Sequence, residues 1–445
     1  MSRLLWTLAL GVFAGALDLS VLAPALPALG RELGVQTGDL AWVFTLYLLV
    51  TVVSIVLAGT FADRYGRRPV YLTCLGLFAA GSMLAITAQE YWVFLLARAV
   101  QALGAGGVFP VATAAIGDVV PAGKRGAALG IVAATWGLAA VIGPAFGGVV
   151  THFVSWRWIF VVNLPLAGAV MVLAARTMPS FAPRRRESLD VVGLLLLCIG
   201  LLALMDGLIS TRFLISALGV AMLVLFVLWE RNTASPVVPF QLMSSRQLLV
   251  TYALEILIGV LEGSLFFIPT VLIGAQSLSY AAAGFIAALG ALTFVMVIPL
   301  AGRALDRIGS RDVLLVGTIL TEVGLAIFAL GFGWLWLVVI SMIVAGAGFG
   351  ALLGAPTRYI VTRESPERSR ATAVGLLSQA LIVGQIVGSS IAGACFALAH
   401  SEIEGYRHAY LGFCAVAFVA LLLAAALKPL SDERRSLKEE AAVAL

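Results

Sequence analysis

The chain has 445 residues, of which 61% are hydrophobic and only 11% are charged. A soluble domain usually has about 25% charged residues, and no soluble fold of this length can hide so much apolar surface from water. Lipid must therefore surround most of the chain, which excludes a soluble enzyme and predicts an all-α integral membrane protein. The net charge of +5 is explained by membrane orientation rather than by nucleic-acid binding.

The predicted elements are membrane-spanning helices. The first apolar run contains Asp18 and has no convincing cleavage site, so we expect a retained helix instead of a signal peptide. A spanning helix needs about 20 apolar residues, and charges, Gly and Pro divide the chain into fourteen such runs. In chain order they are 4–27, 41–61, 70–88, 92–117, 126–150, 158–175, 189–209, 212–229, 248–274, 281–300, 312–331, 334–354, 371–398 and 409–427.

The distribution of basic residues predicts the orientation of these helices. If the N-terminus is cytoplasmic, four of the 28 Lys and Arg residues lie outside, Arg98 lies within a helix, and the other 23 are cytoplasmic. That asymmetry follows the positive-inside rule. We therefore expect a multi-pass protein of the cell inner (plasma) membrane with both termini in the cytoplasm.

An internal repeat relates the two halves of the chain. Residues 57–72 read LAGTFADRYGRRPVYL and residues 300–315 read LAGRALDRIGSRDVLL, which places Asp63 and Asp306 243 residues apart. Three glycine pairs share an offset of 245 residues: Gly130 with Gly375, Gly143 with Gly388 and Gly148 with Gly393. Two related halves are typical of carriers that open a central site alternately to each side of the membrane.

The repeat predicts four regions along the chain. We expect an N-terminal six-helix bundle at residues 1–176 and a C-terminal six-helix bundle at residues 248–430. Residues 177–247 have no counterpart in the repeat and are predicted to be a linker with two extra transmembrane helices. Residues 431–445 are polar and are predicted to be a cytoplasmic tail.

Five segments together resemble the motifs of one family. Residues 59–68 (GTFADRYGRR) join the second and third helices, residues 98–104 (RAVQALG) lie in the fourth, and residues 130–148 of the fifth contain GPAFGG. Residues 17–20 (LDLS) lie in the first helix, and residues 156–168 (WRWIFVVNLPLAG) begin the sixth. In this order the segments resemble the major facilitator superfamily, and the last two are similar to its fourteen-helix drug:proton antiporters. The resemblance implies the major facilitator fold with two inserted helices.

The charged loop and its repeat predict a gating latch. A carboxylate at Asp63 can favour the positive N-terminal end of a partner helix, and the arginines can pair with acids such as Asp118. By resemblance, this cluster holds the two halves together on the cytoplasmic side while the carrier is open outward. A generic basic turn is the structural alternative. The predicted latch comprises Gly59, Asp63, Arg64, Gly66, Arg67, Arg68, Asp118, Asp306 and Arg307.

The fifth predicted helix resembles the motif associated with antiporters, with a departure at Ala139, where that motif usually has Gly. Its glycines remove side chains, so neighbouring backbones can approach closely, and its proline removes one backbone donor and permits a bend. We expect a tight interface that seals against leak, with ordinary small-residue packing as the alternative. The residues are Gly130, Gly143, Pro144, Gly147 and Gly148.

Acids within the spans are the candidate proton-coupling and substrate residues, because a charge at the centre of a bilayer costs about 2.5–3.5 kcal/mol. Asp18 lies near the place where relatives have a coupling acid. Glu255 and Glu262 are seven residues apart on one helix face, from which they can line a cavity opposite Asp18. Glu322 is also a candidate, although a buried structural hydrogen bond explains it equally well, and Asp206 is interpreted as interfacial.

Competition between a proton and a substrate for one carboxylate is the simplest mechanism that such acids permit. A carboxyl group removed from water binds a proton more readily, and when ionised it attracts a cation. By resemblance, Arg98 takes part in coupling, with support of helix packing as the alternative. The leading hypothesis is a proton-coupled exporter (antiporter) of hydrophobic, cationic or zwitterionic compounds. A lipid or glycolipid exporter of the same fold is the alternative.

An enzyme is not expected from this sequence. Its three His residues lie near predicted outer helix ends without metal-ligand or triad spacing, and no Walker-type phosphate loop is present. We therefore expect no metal and no cofactor, and a proton gradient as the driving force. The expected partners are a small hydrophobic substrate, protons and the lipid bilayer, without nucleic acid, and the expected state is a monomer.

Overall fold

The computed structural model describes residues 2–179, 190–233, 236, 245–331, 333–366, 369–399 and 401–429. The basic stretch at 184–186 and the predicted tail at 431–445 lie outside these residues. Every regular element in the described part is helical, which confirms the predicted all-α class.

The described helices follow one another with short connections. They are α1 (Ser2–Val21), a 3₁₀ helix (Ala23–Ala25), α2 (Leu26–Leu33), α3 (Ala41–Tyr65), α4 (Arg67–Thr87), α5 (Tyr91–Val119), α6 (Ala122–Phe153), α7 (Arg157–Thr177), α8 (Val191–Ile209), α9 (Phe213–Glu230), α10 (Arg246–Leu265), α11 (Ile268–Gln276), α12 (Tyr280–Ile308), α13 (Ser310–Gly331), α14 (Leu335–Leu352), α15 (Pro356–Glu364), α16 (Arg370–Leu398) and α17 (Glu402–Ala425).

Fourteen segments of the described chain are long and apolar enough to span a membrane, as the sequence predicts. Three of these spans, Arg3–Leu33, Arg246–Gln276 and Leu335–Glu364, are broken into successive helices. The helix that follows each break has a proline in its first turn: Pro24, Pro269 and Pro356. Proline lacks an N–H and clashes with the preceding turn, so the helix cannot continue through it unbroken.

The sequence-based bounds of these three spans are therefore wrong. The runs 4–27, 248–274 and 334–354 are predicted as single continuous helices, whereas each span is interrupted and two of them extend well beyond the predicted end. Apolar composition finds the span, but it does not distinguish a proline inside a helix from a proline that begins the next one.

The two copies of the charged loop are mostly helical. The last turn of α3 contains Asp63 and Arg64, and α12 continues to Ile308, eight residues beyond its predicted end at residue 300. Only one residue separates the helices in each copy. These residues are Gly66, with φ of 97°, and Gly309, with φ of 87°. Glycine adopts this backbone region without the steric penalty of a Cβ, so it ends one helix and begins the next within a single residue.

By its contacts the chain divides into two compact units. The first contains Met1–Val237, Phe266–Ala288 and Ser390–Leu398, and the second contains Val238–Leu265, Leu289–Ser389 and Ala399–Leu445. The core of the first unit lies between α1, α4, α5 and α6, and the core of the second lies between α10, α13 and α17. These units are defined by contacts and not by the repeat, so the predicted division at residues 176 and 247 stays a prediction.

The repeat is visible in how helices pack within each unit. In the first, a Cβ at Gly81 of α4 would overlap the backbone of Gln101 in α5. In the second, a Cβ at Gly324 of α13 would overlap the backbone of Ala345 in α14. The glycines are 243 residues apart and their neighbours 244. The pair α4–α5 therefore corresponds residue by residue to the pair α13–α14.

We predict that Gly104→Ala destabilises the protein. A Cβ at Gly104 in α5 would overlap the backbone of Cys74 and Phe78 in α4, and overpacking of this kind costs about 1–3 kcal/mol. Thermal unfolding in detergent measures the effect. The matched control is Gly117→Ala in the same helix, where a Cβ would meet no atom within 4 Å. Equal melting temperatures for both variants would contradict the close packing of α4 and α5.

Candidate functional site

A buried polar network surrounds Asp18 near the end of α1. The side chain of Asp18 is 0% exposed, and Arg98 Nη1 of α5 donates to its Oδ2 at 2.7 Å. Its Oδ1 accepts hydrogen bonds from Gln101 Nε2 at 2.7 Å and from Asn163 Nδ2 of α7 at 2.8 Å. Both carboxylate oxygens therefore have partners, and one of those partners is a cation.

The network continues from α5 into two further helices. Arg98 also donates to Gln101 Oε1 at 2.5 Å, and Gln101 donates to Ser82 Oγ of α4 at 2.9 Å. The guanidinium of Arg98 lies over the ring of Tyr47 in α3, 4.0 Å from its centroid. Five helices of the first unit thus meet at one polar cluster, and Arg98 is both ion-paired and stacked on an aromatic face.

Burial makes each member of this network depend on the others. All five polar partners and Tyr47 are at most 3% exposed. A charge without a partner in such surroundings is very unfavourable, and removing one member of a buried pair costs about 3–5 kcal/mol. The Nε and Nη2 groups of Arg98 have no hydrogen-bond partner among the described residues. The compensation of Arg98 therefore comes chiefly from Asp18 and the Tyr47 ring.

The second unit contains the two predicted acids of α10, and each has its own partner. Glu262 is partly buried and accepts a hydrogen bond from Gln385 Nε2 of α16 at 2.9 Å. Glu255 is 5% exposed and hydrogen-bonds with Thr357 in the first turn of α15. Its Oε2 has no partner within the described part of the chain. The two carboxylates lie close enough to repel each other.

The other two acids within the spans belong to neither cluster. Glu322 lies half-buried on α13 near Cys414 of α17. Asp206 lies in the last turn of α8, where Ser210 Oγ donates to it at 3.3 Å. The structure therefore separates Glu322 and Asp206 from the network around Asp18.

The predicted latch residues of the first copy form a cluster of contacts. Arg67 lies between two acids, with Nη1 2.5 Å from Asp63 Oδ1 and Nε 3.3 Å from Asp118 Oδ2. Arg68 donates to the carbonyl oxygen of Ala175 at the end of α7. Arg64 is exposed and lies over the neighbouring Tyr65 ring.

The remaining latch residues differ from this cluster. A Cβ at Gly59 would meet nothing within 4 Å, so this glycine is not required by close packing. In the second copy, Asp306 and Arg307 are both exposed. The sequence similarity of the two loops is therefore not accompanied by equal burial of their charges.

The predicted antiporter helix, α6, packs against α1 just beyond Asp18. A Cβ at Gly143 would overlap Ser20 Oγ, and one at Gly147 would overlap the carbonyl oxygen of Val21. Ser20 Oγ also donates to the carbonyl oxygen of Ala139 at 3.0 Å. Close approach of the α1 and α6 backbones therefore requires two of the predicted glycines.

The same helix also contacts the start of α12 within the first unit. A Cβ at Gly148 would overlap the carbonyl oxygen of Tyr280, and one at Gly284 would overlap the carbonyl oxygen of Pro144. The prediction for Gly130 is wrong, because this residue is exposed and a Cβ there would meet nothing within 4 Å. Gly130 lies near the other end of α6, away from these contacts.

Several members of the two clusters are not among the residues predicted from the sequence. They are Asn163, Ser82, Tyr47, Thr357 and Gln385. The first lies in the segment 156–168 that resembles the family motif, and all five are polar or amphipathic residues within otherwise apolar spans. Such residues tend to face other helices and not lipid, but apolar pattern alone does not say which partner each one meets.

We predict that Asp18→Asn lowers the stability of the folded protein by about 3–5 kcal/mol, because it leaves the Arg98 cation buried without an anion. The double variant Asp18→Asn, Arg98→Gln removes both charges and should lose less stability than the single variant. Unfolding in detergent, analysed as a double-mutant cycle, measures the coupling. Asp206→Asn is the control. Additive effects of the two substitutions would contradict the ion pair.

Comparison with known proteins places this geometry in a family. The model of the Major Facilitator Superfamily matches residues 8–275 and again residues 220–444. A Bacillus subtilis protein named uncharacterized MFS-type transporter YfiU is 31% identical over 400 residues, which cover 85% of this chain and 77% of that protein. A Mycobacterium tuberculosis protein named multidrug resistance protein B homolog is 29% identical over 409 residues, which cover 87% and 75%.

A solved structure with little sequence similarity has the same fold. The crystal structure of a D-xylose-proton symporter matches with a TM-score of 0.70 at 15% identity, over 95% of this chain and 96% of that chain. The related proteins are transporters and not enzymes. With its fourteen membrane-spanning segments in the described residues, the chain belongs to the major facilitator superfamily of membrane transporters.

Proposed function

We propose that this protein is a proton-coupled exporter of hydrophobic compounds with a cationic or zwitterionic group. Membership of the superfamily makes it a transporter, and a relative named as a multidrug resistance protein supports export of drug-like compounds. The observation that carries the proposal is Glu262, a carboxylate within a membrane span for which the described residues provide a hydrogen bond but no ion pair. Such a group is costly in lipid unless it binds a proton or a cation.

The exchange mechanism follows from the chemistry of such a carboxylate. When ionised, it attracts a cationic group, and when protonated, it loses that attraction. A proton arriving from outside therefore releases the substrate, and loss of that proton to the cytoplasm prepares the site for the next substrate. The proton and the substrate move in opposite directions because one group cannot bind both at once.

Alternating access supplies the change of side that this exchange requires. We propose that both termini are cytoplasmic in the cell inner membrane, as the basic residues indicate. The contacts of Arg67 with Asp63 and Asp118 then lie on the cytoplasmic side, at the opposite end of α3 from Tyr47. These charges and the close contacts of α6 are the parts that we expect to form and break between states. No cofactor is proposed, since the proton gradient is the driving force.

Transport in proteoliposomes tests this proposal. Vesicles with an acidic interior, diluted into alkaline buffer, have a proton gradient directed outward. We expect labelled tetraphenylphosphonium to accumulate inside against its concentration gradient while protons leave. An ionophore that exchanges protons for potassium should abolish the accumulation, and vesicles without protein should show none.

The outcomes separate the proposed antiport from the other candidates. Cation entry that requires a proton gradient directed inward would indicate symport and contradict the proposal. A fluorescent phospholipid, moved in preference to every cation tested, would favour the lipid exporter instead. Uptake that is equal with and without the gradient would show a carrier without proton coupling.

A further inference from the structure

Asp18 and Glu262 occupy equivalent places in the two halves of the repeat. They are 244 residues apart, between the offset of the charged loops and that of the glycine-rich helices. Each lies three residues before the end of its helix, α1 or α10, where the first span of its half is broken. Each accepts a hydrogen bond from a glutamine amide, which is Gln101 in the first unit and Gln385 in the second.

The two acids differ in how their charge is compensated. Arg98 of α5 pairs with Asp18 at 2.7 Å. Because α5 and α14 correspond at an offset of 244 residues, the place of Arg98 is taken in the second unit by Met342, which is uncharged and 3% exposed. Among the residues that the structure describes, no Lys or Arg forms an ion pair with Glu262.

The surroundings of Glu262 leave it available to a ligand. Its side chain is partly exposed, whereas Asp18 is fully buried and has partners on both oxygens. Gln385 of α16 donates to Oε2 only. The nearest charged group recorded on its own helix is Glu255, which has the same sign. A cation that reaches Glu262 therefore does not have to displace one that the protein already holds.

We propose that Glu262, oriented by Gln385, is the site where the cationic group of the substrate binds. This inference rests on the proposed export function and assigns one residue within it. The substrate class is a lipophilic cation, such as an amine or an onium compound, because an uncompensated carboxylate in apolar surroundings attracts a positive charge strongly. Asp18 is not that site in this conformation, since binding a cation there would first require separating it from Arg98.

The test is equilibrium binding to the purified full-length protein. We expect Glu262→Gln to weaken binding of tetraphenylphosphonium at least about tenfold, because the carboxylate that faces the cation is lost. Glu262→Asp keeps the charge and should restore most of the affinity. Binding of triphenylphosphine oxide, a neutral analogue of similar shape, should be the same in the wild type and in Glu262→Gln. Asp206→Asn is the control expected to bind both probes as the wild type does.

The neutral analogue separates loss of charge from loss of fold. If Glu262→Gln binds the cation as tightly as the wild type does, the inference is wrong. If it loses both probes equally while Glu262→Asp does too, the site is a packing position and the inference is also wrong. If the wild type binds no cation at all, the proposed function fails together with the inference.

A measurement on the wild type avoids variants that fail to fold. Dicyclohexylcarbodiimide reacts with carboxyl groups in apolar surroundings, and mass spectrometry locates the adduct. We expect tetraphenylphosphonium to protect Glu262 from this reagent and triphenylphosphine oxide to give no protection. Labelling of Glu262 that tetraphenylphosphonium does not change would overturn the assignment, even if the protein transports cations.

Discussion

The ion pair between Asp18 and Arg98 is the constraint on which the first unit depends. Neither charge is tolerated alone in surroundings that exclude water, so the pair forces α1 and α5 together at one depth. Gln101 and Asn163 satisfy the second oxygen of Asp18 and bring α4 and α7 into the same cluster. The close contacts of α6 with Ser20 and Val21 fix the end of α1 immediately beyond the pair.

The same position has a different solution in the other half of the chain. Glu262 keeps the acid and the glutamine donor, but Met342 replaces the arginine. A duplicated scaffold thus contains one carboxylate that is compensated by the protein and one that is left for a mobile cation. This asymmetry gives the two halves of a symmetric carrier unequal tasks, because only the uncompensated acid can exchange ligands without breaking a buried ion pair.

Much of this architecture could be predicted from the sequence, because lipid imposes simple rules. Fourteen apolar runs, the helical class and the importance of Asp18 and Arg98 all follow from the cost of polar groups in a membrane. The partners of those residues could not be predicted, since Asn163 meets Asp18 only through the packing of α7. The broken spans were missed because Pro24 and Pro269 start new helices within apolar runs. Gly130 was overinterpreted because its motif says nothing about neighbours.

The central claim is that one carboxylate exchanges a proton for the substrate cation. The most direct measurement is the release of protons into weakly buffered solution when tetraphenylphosphonium binds to the purified protein. The account predicts a release that rises with occupancy in the wild type and disappears in Glu262→Gln. Cation binding without any proton release, or a release that persists undiminished in Glu262→Gln, would contradict it.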